Sequence, residues 1–167
     1  MRTDFWYDSK GAGKIHGCRW TPEEQPKAIL QIVHGIAEFV ERYDDFAEFL
    51  TKQGFLVVAE DHMGHGQSIN GEGIQGYFHG GWFTAVEDTV QLMKDTMAEH
   101  PGVPYILFGH SMGSFMARTI LCKYPDCGIS AAIQNYCERD SRRNSGEPTG
   151  YRSIFREEEG GLIAWQY

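Results

Sequence analysis

The sequence predicts an α/β protein with a mostly parallel sheet, an N-terminal antiparallel hairpin and helices on both faces of the sheet. Short apolar runs of strand length recur along the chain, and segments with helical spacing separate them. This alternation is typical of parallel strands joined by helical crossovers. The runs lack polar alternation, which indicates strands buried on both faces. The four runs are Ala28–Val33, Phe55–Ala59, Tyr105–Phe108 and Ile129–Ile133.

The chain begins with a predicted hairpin. Its strands are Phe5–Tyr7 and Lys14–Trp20, and Asp8–Gly13 supplies the turn between them. A surface loop rich in Pro and Glu, Thr21–Pro26, then leads to the first buried strand.

Three helices are expected between the strands. The first follows from three- and four-residue spacing of apolar side chains and ends before Gly54. The second is Trp82–His100 with Pro101 just beyond it, and the third is Met112–Tyr124. A loop with seven glycines, Asp61–Gly81, precedes the second helix. The spacing of the first helix is carried by Tyr43, Phe46, Ala47, Phe49 and Leu50.

The composition argues against nucleic-acid-binding, secreted and membrane-spanning proteins. The 167 residues, with 41% hydrophobic side chains, can bury a substantial core. A net charge of −8 without a basic block argues against a nucleic-acid surface. The first residues lack the apolar stretch of a signal peptide, and no run is long enough to span a bilayer, so we expect a cytoplasmic protein. The four cysteines, Cys18, Cys122, Cys127 and Cys137, form no C-x-x-C pair and indicate no disulfide framework.

The run Tyr105–Gly113, Y-I-L-F-G-H-S-M-G, predicts a strand that turns sharply into a helix at Ser111. Such a turn lifts the serine hydroxyl above the sheet, where it can act as a nucleophile. Gly109 and Gly113 keep bulk away where the strand and helix backbones come close. The backbone N–H of Met112, at the helix N-terminus, is expected to stabilise an oxyanion.

A second oxyanion donor is expected from the loop after the first buried strand. That strand ends in His34-Gly35-Ile36, and Gly35 permits a tight turn that directs the N–H of Ile36 toward the serine. Gly35 and His110 are therefore expected to shape the site, and His34 lies near it in sequence order.

Three runs in this order resemble the monoacylglycerol lipase and lysophospholipase branch of the α/β-hydrolases, which is often grouped with the serine aminopeptidases. They are I-V-H-G-I-A-E-F-V-E-R-Y (32–43), D-H-M-G-H-G-Q-S (61–68) and G-H-S-M-G (109–113). The resemblance covers roughly residues 4–133. It implies an α/β-hydrolase fold, hydrolysis of carboxylic esters through an acyl-serine, and monoacylglycerols, lysophospholipids or other small acyl esters as substrates. By position, Ser111 resembles the nucleophile, and Ile36 and Met112 resemble the oxyanion residues. For His34 the resemblance implies a structural role in shaping the loop.

The resemblance also implies a lid and further strands that carry a catalytic aspartate and histidine. None of the seven histidines follows Ser111. We therefore expect residues 1–133 to be the N-terminal part of the core, and residues 134–167 to be a polar tail in place of the lid and C-terminal strands. A truncated or frame-shifted gene, a piece of a longer protein, and a natural half that pairs with a second chain remain alternative explanations.

The leading prediction is thus a serine ester hydrolase whose triad acid and base are missing, so that its own activity is impaired. The alternative is a non-catalytic protein that binds a hydrophobic ligand or a partner chain. Glu138 and Asp140 have no histidine to orient, and the spacing of His62, His65 and His79 matches no usual metal site. We expect no metal and no cofactor. We expect self-association through an unpaired sheet edge.

Overall fold

The computed structural model describes residues 1–69 and 74–134. Within them the chain forms six strands, three α-helices and two short 3-10 helices, at Val40–Tyr43 and Gly66–Ser68. The strands are β1 (Arg2–Asp8), β2 (Lys14–Trp20), β3 (Ala28–Val33), β4 (Phe55–Glu60), β5 (Tyr105–His110) and β6 (Ile129–Gln134). The helices are α1 (Asp44–Lys52), α2 (Trp82–Glu99) and α3 (Met112–Lys123).

All six strands form one sheet in the order β1-β2-β4-β3-β5-β6. The β1–β2 hairpin is antiparallel and continues antiparallel onto β4, whereas β4, β3, β5 and β6 run parallel. Strand β3 lies between β4 and β5, with Val33 opposite Gly109. The carboxyl ends of β3 and β5 are therefore neighbours, and so are the loops that follow them.

Helices cover both faces of the sheet. One apolar cluster joins α2 and α3 to alternate residues of the strands, with Val90, Met116 and Leu107 at most 1% exposed. The other joins α1, through Ala47, to the opposite residues, including Trp20 and Ile32. This packing confirms the predicted layers of helices on either side of a mostly parallel sheet.

The predicted elements are present and most of their ends agree within one residue, but three further differences are notable. Strand β1 begins at Arg2, although its first residues are exposed and polar, because the backbone of Arg2–Asp4 pairs with Cys18–Trp20. Strand β5 extends through Gly109 and His110, so Ser111 directly follows the strand. A 3-10 turn, Val40–Tyr43, precedes α1.

The predictions for the tail, including Glu138, Asp140 and Cys137, fall on residues 135–167, which lie outside the described residues. The other three cysteines are free thiols. Within the described ranges, no helix combines the length and the apolar character that crossing a membrane requires.

Candidate active site

Ser111 occupies a sharp bend between β5 and α3. Its backbone angles are φ 51° and ψ −117°, in a region that non-glycine residues rarely adopt. It is one of two non-glycine residues with positive φ in the described part of the chain, and the other is Ala37 at φ 57°. Both lie in the loops at the carboxyl ends of β3 and β5, so backbone strain is concentrated at one edge of the sheet.

Two glycines allow this bend because strand and helix backbones nearly touch there. A Cβ added at Gly109 would lie 2.6 Å from the carbonyl oxygen of Gly113 and 2.8 Å from Cα of Ser114. A Cβ added at Gly113 would overlap the carbonyl of Val33 and lie 2.7 Å from the carbonyl oxygen of His34. The start of α3 therefore rests directly on the end of β3.

The loop after β3 closes over the elbow. A Cβ at Gly35 would lie only 3.1 Å from Cβ of Ser111, so the two backbones are in close contact. The following side chain, Ile36, is 65% exposed. Within the described residues, neither the N–H of Ile36 nor that of Met112 donates a hydrogen bond to a protein acceptor. Two amides without a protein acceptor thus belong to the residues that directly follow Gly35 and Ser111, and the N-terminus of α3 adds a partial positive charge.

Glu38 ties the two loops together. Its Oε2 accepts hydrogen bonds from the Gly35 N–H (2.7 Å) and the Tyr43 hydroxyl (2.8 Å), and it lies 2.8 Å from Nδ1 of His110. Burial alone would raise the pKa of Glu38. The hydrogen bonds from His110, Gly35 and Tyr43 outweigh burial and hold that pKa below its ordinary value. The ionised carboxylate therefore fixes His110 and the loop beside Ser111.

Three buried histidines, His34, His62 and His65, pack together beneath the loop that follows β3. The rings of His34 and His62 are 4.0 Å apart. Nδ1 of His34 lies 2.7 Å from the carbonyl oxygen of Gly35, and its Nε2 lies 3.0 Å from the backbone nitrogen of His62. Burial, with the neighbouring His62, lowers the pKa of His34 well below its usual value, and burial lowers that of His62 to about 3. In this neutral state His34 donates to Gly35 and accepts from His62.

Asp61, fully buried at the end of β4, connects the loop to the rest of the sheet. Its oxygens accept the backbone N–H of Val40 (2.8 Å) and of Gln67 (2.9 Å), and Oδ2 lies 2.8 Å from Nδ1 of His16. A side chain at Gly66 would overlap this carboxylate. The 61–68 run therefore anchors the loop after β3.

In the described part of the chain, no imidazole or carboxylate is hydrogen-bonded to the Ser111 hydroxyl. His110 faces Glu38, and His34 faces Gly35. His79 packs on the ring of Tyr77, whereas His62 and His65 pack with His34. The structure thus brings Ser111, Gly35, Ile36 and Met112 together, and it separates His79 from the other two histidines of the loop.

Sequence reasoning missed the roles of Glu38, Tyr43 and Asp61. Glu38 lies three residues after Gly35, so the sequence spacing alone could have predicted a turn in which the Glu38 carboxylate accepts the Gly35 N–H. Two of the partners of Asp61, Val40 and His16, are 21 and 45 residues away along the chain, and no local pattern indicates them.

Comparisons with known proteins agree with the fold and the motifs. The family model described as serine aminopeptidase, S33, matches residues 24–134, more than half of the chain. Monoglyceride lipase from Homo sapiens is 39% identical over 114 residues, which cover 68% of this chain and 36% of that protein. Monoacylglycerol lipase from Mycolicibacterium smegmatis is 35% identical over 131 residues, covering 74% of this chain and 43% of that protein.

Among solved structures, a thermostable carboxyl esterase from Bacillus coagulans superimposes with a TM-score of 0.73 at 31% identity, covering 79% of this chain and 43% of the esterase. These matches confirm the α/β-hydrolase fold and the resemblance to monoacylglycerol lipases. The chain covers 36% to 43% of the length of these three relatives.

Proposed function

Because the chain belongs to the serine aminopeptidase S33 family of α/β-hydrolases, we propose that it is a serine hydrolase of carboxylic esters that forms an acyl-enzyme at Ser111. The observation that supports the proposal is the strained Ser111 backbone in close contact with Gly35, where the amides of the next residues, Ile36 and Met112, have no protein acceptor.

In the proposed reaction, Oγ of Ser111 attacks the acyl carbonyl carbon while a base takes the hydroxyl proton. The carbonyl oxygen becomes an oxyanion that accepts hydrogen bonds from the N–H groups of Ile36 and Met112. As the tetrahedral intermediate collapses, the ester C–O bond breaks and the base returns the proton to the leaving alkoxide. Water, activated by the same base, then cleaves the acyl-serine. One oxyanion donor is worth about a hundred- to a thousandfold in rate.

The base and its orienting acid would come from outside the described residues, since no imidazole there is bonded to Ser111. Without them we expect this chain alone to turn over esters slower by a factor on the order of 10⁴, as serine hydrolases do when a triad member is lost. The oxyanion amides would still leave a measurable rate over water.

Monoacylglycerols and lysophospholipids are the proposed substrates. Two observations support a substrate with an apolar chain. The aligned relatives are named monoglyceride and monoacylglycerol lipases. In addition, apolar side chains next to the elbow are exposed: Ile36 (65%), Phe39 (41%) and Phe115 (55%). An acyl chain lying on them would shield this apolar surface from water.

A fluorophosphonate probe tests the nucleophile directly, because it reacts with an activated serine without a full turnover. Because no base is bonded to Ser111 in the described residues, we expect slow labelling of the purified chain and its loss in Ser111→Ala. Ser130→Ala, which removes a hydroxyl on β6, is the matched control and should label normally. Free imidazole should increase p-nitrophenyl ester turnover by the unmodified chain above the rate seen with Ser111→Ala. Equal labelling of Ser111→Ala and the unmodified chain would contradict the proposal.

A second candidate is a non-catalytic protein that binds a hydrophobic ligand or a complementary chain. The absence of a bonded base at Ser111 within the described residues favours it. If Ser111 is neither labelled nor rescued by imidazole, while a long-chain ether lipid that cannot be hydrolysed still binds, this second function replaces the first.

A further inference from the structure

A second group of reactive side chains lies on the β1–β2 hairpin. Asp4 and Cys18 are cross-strand partners, and His16, two residues before Cys18, points to the same face of the sheet. Their donor atoms all lie within 4.8 Å of one another. His16 and Cys18 are almost fully buried, whereas the side chain of Asp4 is 52% exposed. The buried side chains of His16 and Cys18 are therefore held in place by packing, and the group is open to solvent at Asp4.

The separations of the donor atoms resemble those around a tetrahedral metal ion. Oδ1 of Asp4 is 3.1 Å from Nε2 of His16 and 3.1 Å from Sγ of Cys18, and Sγ is 3.9 Å from Nε2. Bond lengths of about 2.0–2.1 Å to nitrogen and oxygen and about 2.3 Å to sulfur give ligand separations of roughly 3.3–3.6 Å in a tetrahedron. Each separation differs from that range by a few tenths of an ångström.

The other nitrogen of His16 is held as metal-bound histidines are usually held. Its Nδ1 lies 2.8 Å from Oδ2 of the buried Asp61. A carboxylate in this position keeps a proton on Nδ1, so a metal would bind at Nε2, in exchange for the contact that Nε2 makes with Oδ1 of Asp4. Trp6 packs against the same imidazole with ring centroids 5.0 Å apart, which further restricts its rotation.

A protein cation already lies beside these ligands. One guanidinium nitrogen of Arg2 is 3.2 Å from Sγ of Cys18 and 3.2 Å from Oδ1 of Asp4. The Arg2 side chain is 32% exposed and also pairs with Asp44 at 3.0 Å, so it has a partner outside the cluster. A carboxylate, a thiol and an imidazole around one arginine form a site that attracts positive charge.

We propose that Asp4, His16 and Cys18 bind a zinc-like divalent transition-metal ion, with water as the fourth ligand and with Arg2 displaced toward Asp44. Carboxylate oxygen, imidazole nitrogen and thiolate sulfur are the ligand types that Zn²⁺ accepts. On binding, the Cys18 S–H bond gives up its proton to solvent and sulfur donates its electron pair to the metal, with no change of oxidation state. The proposed site differs from the expectation from the sequence, in which the spacing of the loop histidines His62, His65 and His79 predicts no metal site.

Cobalt titration tests the site by spectroscopy. The untagged full chain should carry Cys122→Ser, Cys127→Ser and Cys137→Ser, so that Cys18 is its one thiol. Added Co²⁺ should give the thiolate-to-cobalt charge-transfer band and the d–d bands of a tetrahedral ion at one equivalent, and Zn²⁺ should abolish both. Quenching of tryptophan fluorescence by Co²⁺, lost in Trp6→Phe, gives an independent readout, because Trp6 contacts His16.

The variants separate binding from folding. Asp4→Asn should weaken Co²⁺ binding by at least about tenfold, since even second-shell changes cost ten- to a hundredfold. Its matched control, Asp8→Asn on the same strand, should bind normally. Cys18→Ser should lose the charge-transfer band, with circular dichroism checking its fold. Arg2→Gln, which removes the competing cation, should tighten binding severalfold. A charge-transfer band that persists in Cys18→Ser, or affinity unchanged in both Asp4→Asn and Arg2→Gln, would overturn the proposal.

Discussion

Gly113→Ala tests the close contact between the start of α3 and the end of β3. Helix propensity alone predicts that this change stabilises the protein, because alanine is favoured over glycine in a helix by about 1 kcal/mol. The structure predicts the opposite sign. The new Cβ would lie 2.5 Å from the carbonyl carbon of Val33 and 2.7 Å from the carbonyl oxygen of His34. Both are backbone atoms in or next to a central strand, so they cannot rotate away.

The size of the effect follows from these two opposing contributions. Overpacking of a dense interior costs about 1–3 kcal/mol and occasionally more, and overlap with backbone belongs at the upper end of that range. After subtraction of the helix preference, the free energy of unfolding should fall by about 2 kcal/mol or more. This corresponds to a urea midpoint lower by about 1 M for a domain of this size.

Urea denaturation followed by circular dichroism measures this change, provided that the slope of the transition is unaltered. Thr119→Ala, on the same helix, is the control and should change the free energy of unfolding by at most about 0.5 kcal/mol. Fluorophosphonate labelling of Ser111 should also slow in Gly113→Ala, because the elbow must shift to admit the methyl group. If Gly113→Ala is as stable as the unmodified chain and labels at the same rate, the proposed strand–helix contact is wrong.

Three further predictions concern the loop, the sheet interior and the sheet edge. Glu38→Gln places an amide opposite three hydrogen-bond donors, so it should cost about 1–3 kcal/mol of stability and slow labelling of Ser111. Burial raises the pKa of Glu60 to about 7, above its unfolded value near 4.5, so the contribution of Glu60 to stability should fall by about 3 kcal/mol as pH rises through that interval, measured as the difference between the unmodified chain and Glu60→Gln. In the described part of the chain β6 pairs only with β5, so size-exclusion chromatography should show association that increases with concentration and weakens in Ser130→Lys.

Each of these predictions has a contrary outcome. Glu41→Gln changes a carboxylate of the neighbouring 3-10 turn and should leave both stability and labelling intact. Since the pKa of Glu38 is lowered, its contribution to stability is present above its unfolded pKa and is lost as pH falls through the folded value. Parallel pH profiles of the unmodified chain and Glu60→Gln would refute the account of Glu60. A single monomer peak at every concentration would refute association through β6.

The positions of the strands and helices could be predicted from the sequence because the spacing and the apolar character of side chains are local properties. The four buried strands were each found within a few residues, and the elbow motif predicted a bend at Ser111. The exposed residues at the start of β1 were not predicted as strand. Their pairing with β2 is set by backbone hydrogen bonds across the hairpin, and the side-chain pattern carries no sign of it.

Long-range polar contacts could not be predicted in the same way. Glu38 and His110 are 72 residues apart, and only the β3–β5 pairing makes them neighbours. Asp4, His16 and Cys18 lie close in sequence, but their spacing matches no metal motif. Their convergence depends on hairpin register, which a one-residue slip would change.

The buried carboxylate of Asp61 couples the N-terminal hairpin to the distant loop that contains Ile36. One oxygen of this side chain is engaged by the imidazole on β2, and the other restrains the peptide that leaves the Ile36 loop. Binding of a cation to the hairpin, or deletion of the hairpin, would therefore change the conformational freedom of that loop. Acylation kinetics recorded with and without added Zn²⁺ would register this long-distance influence.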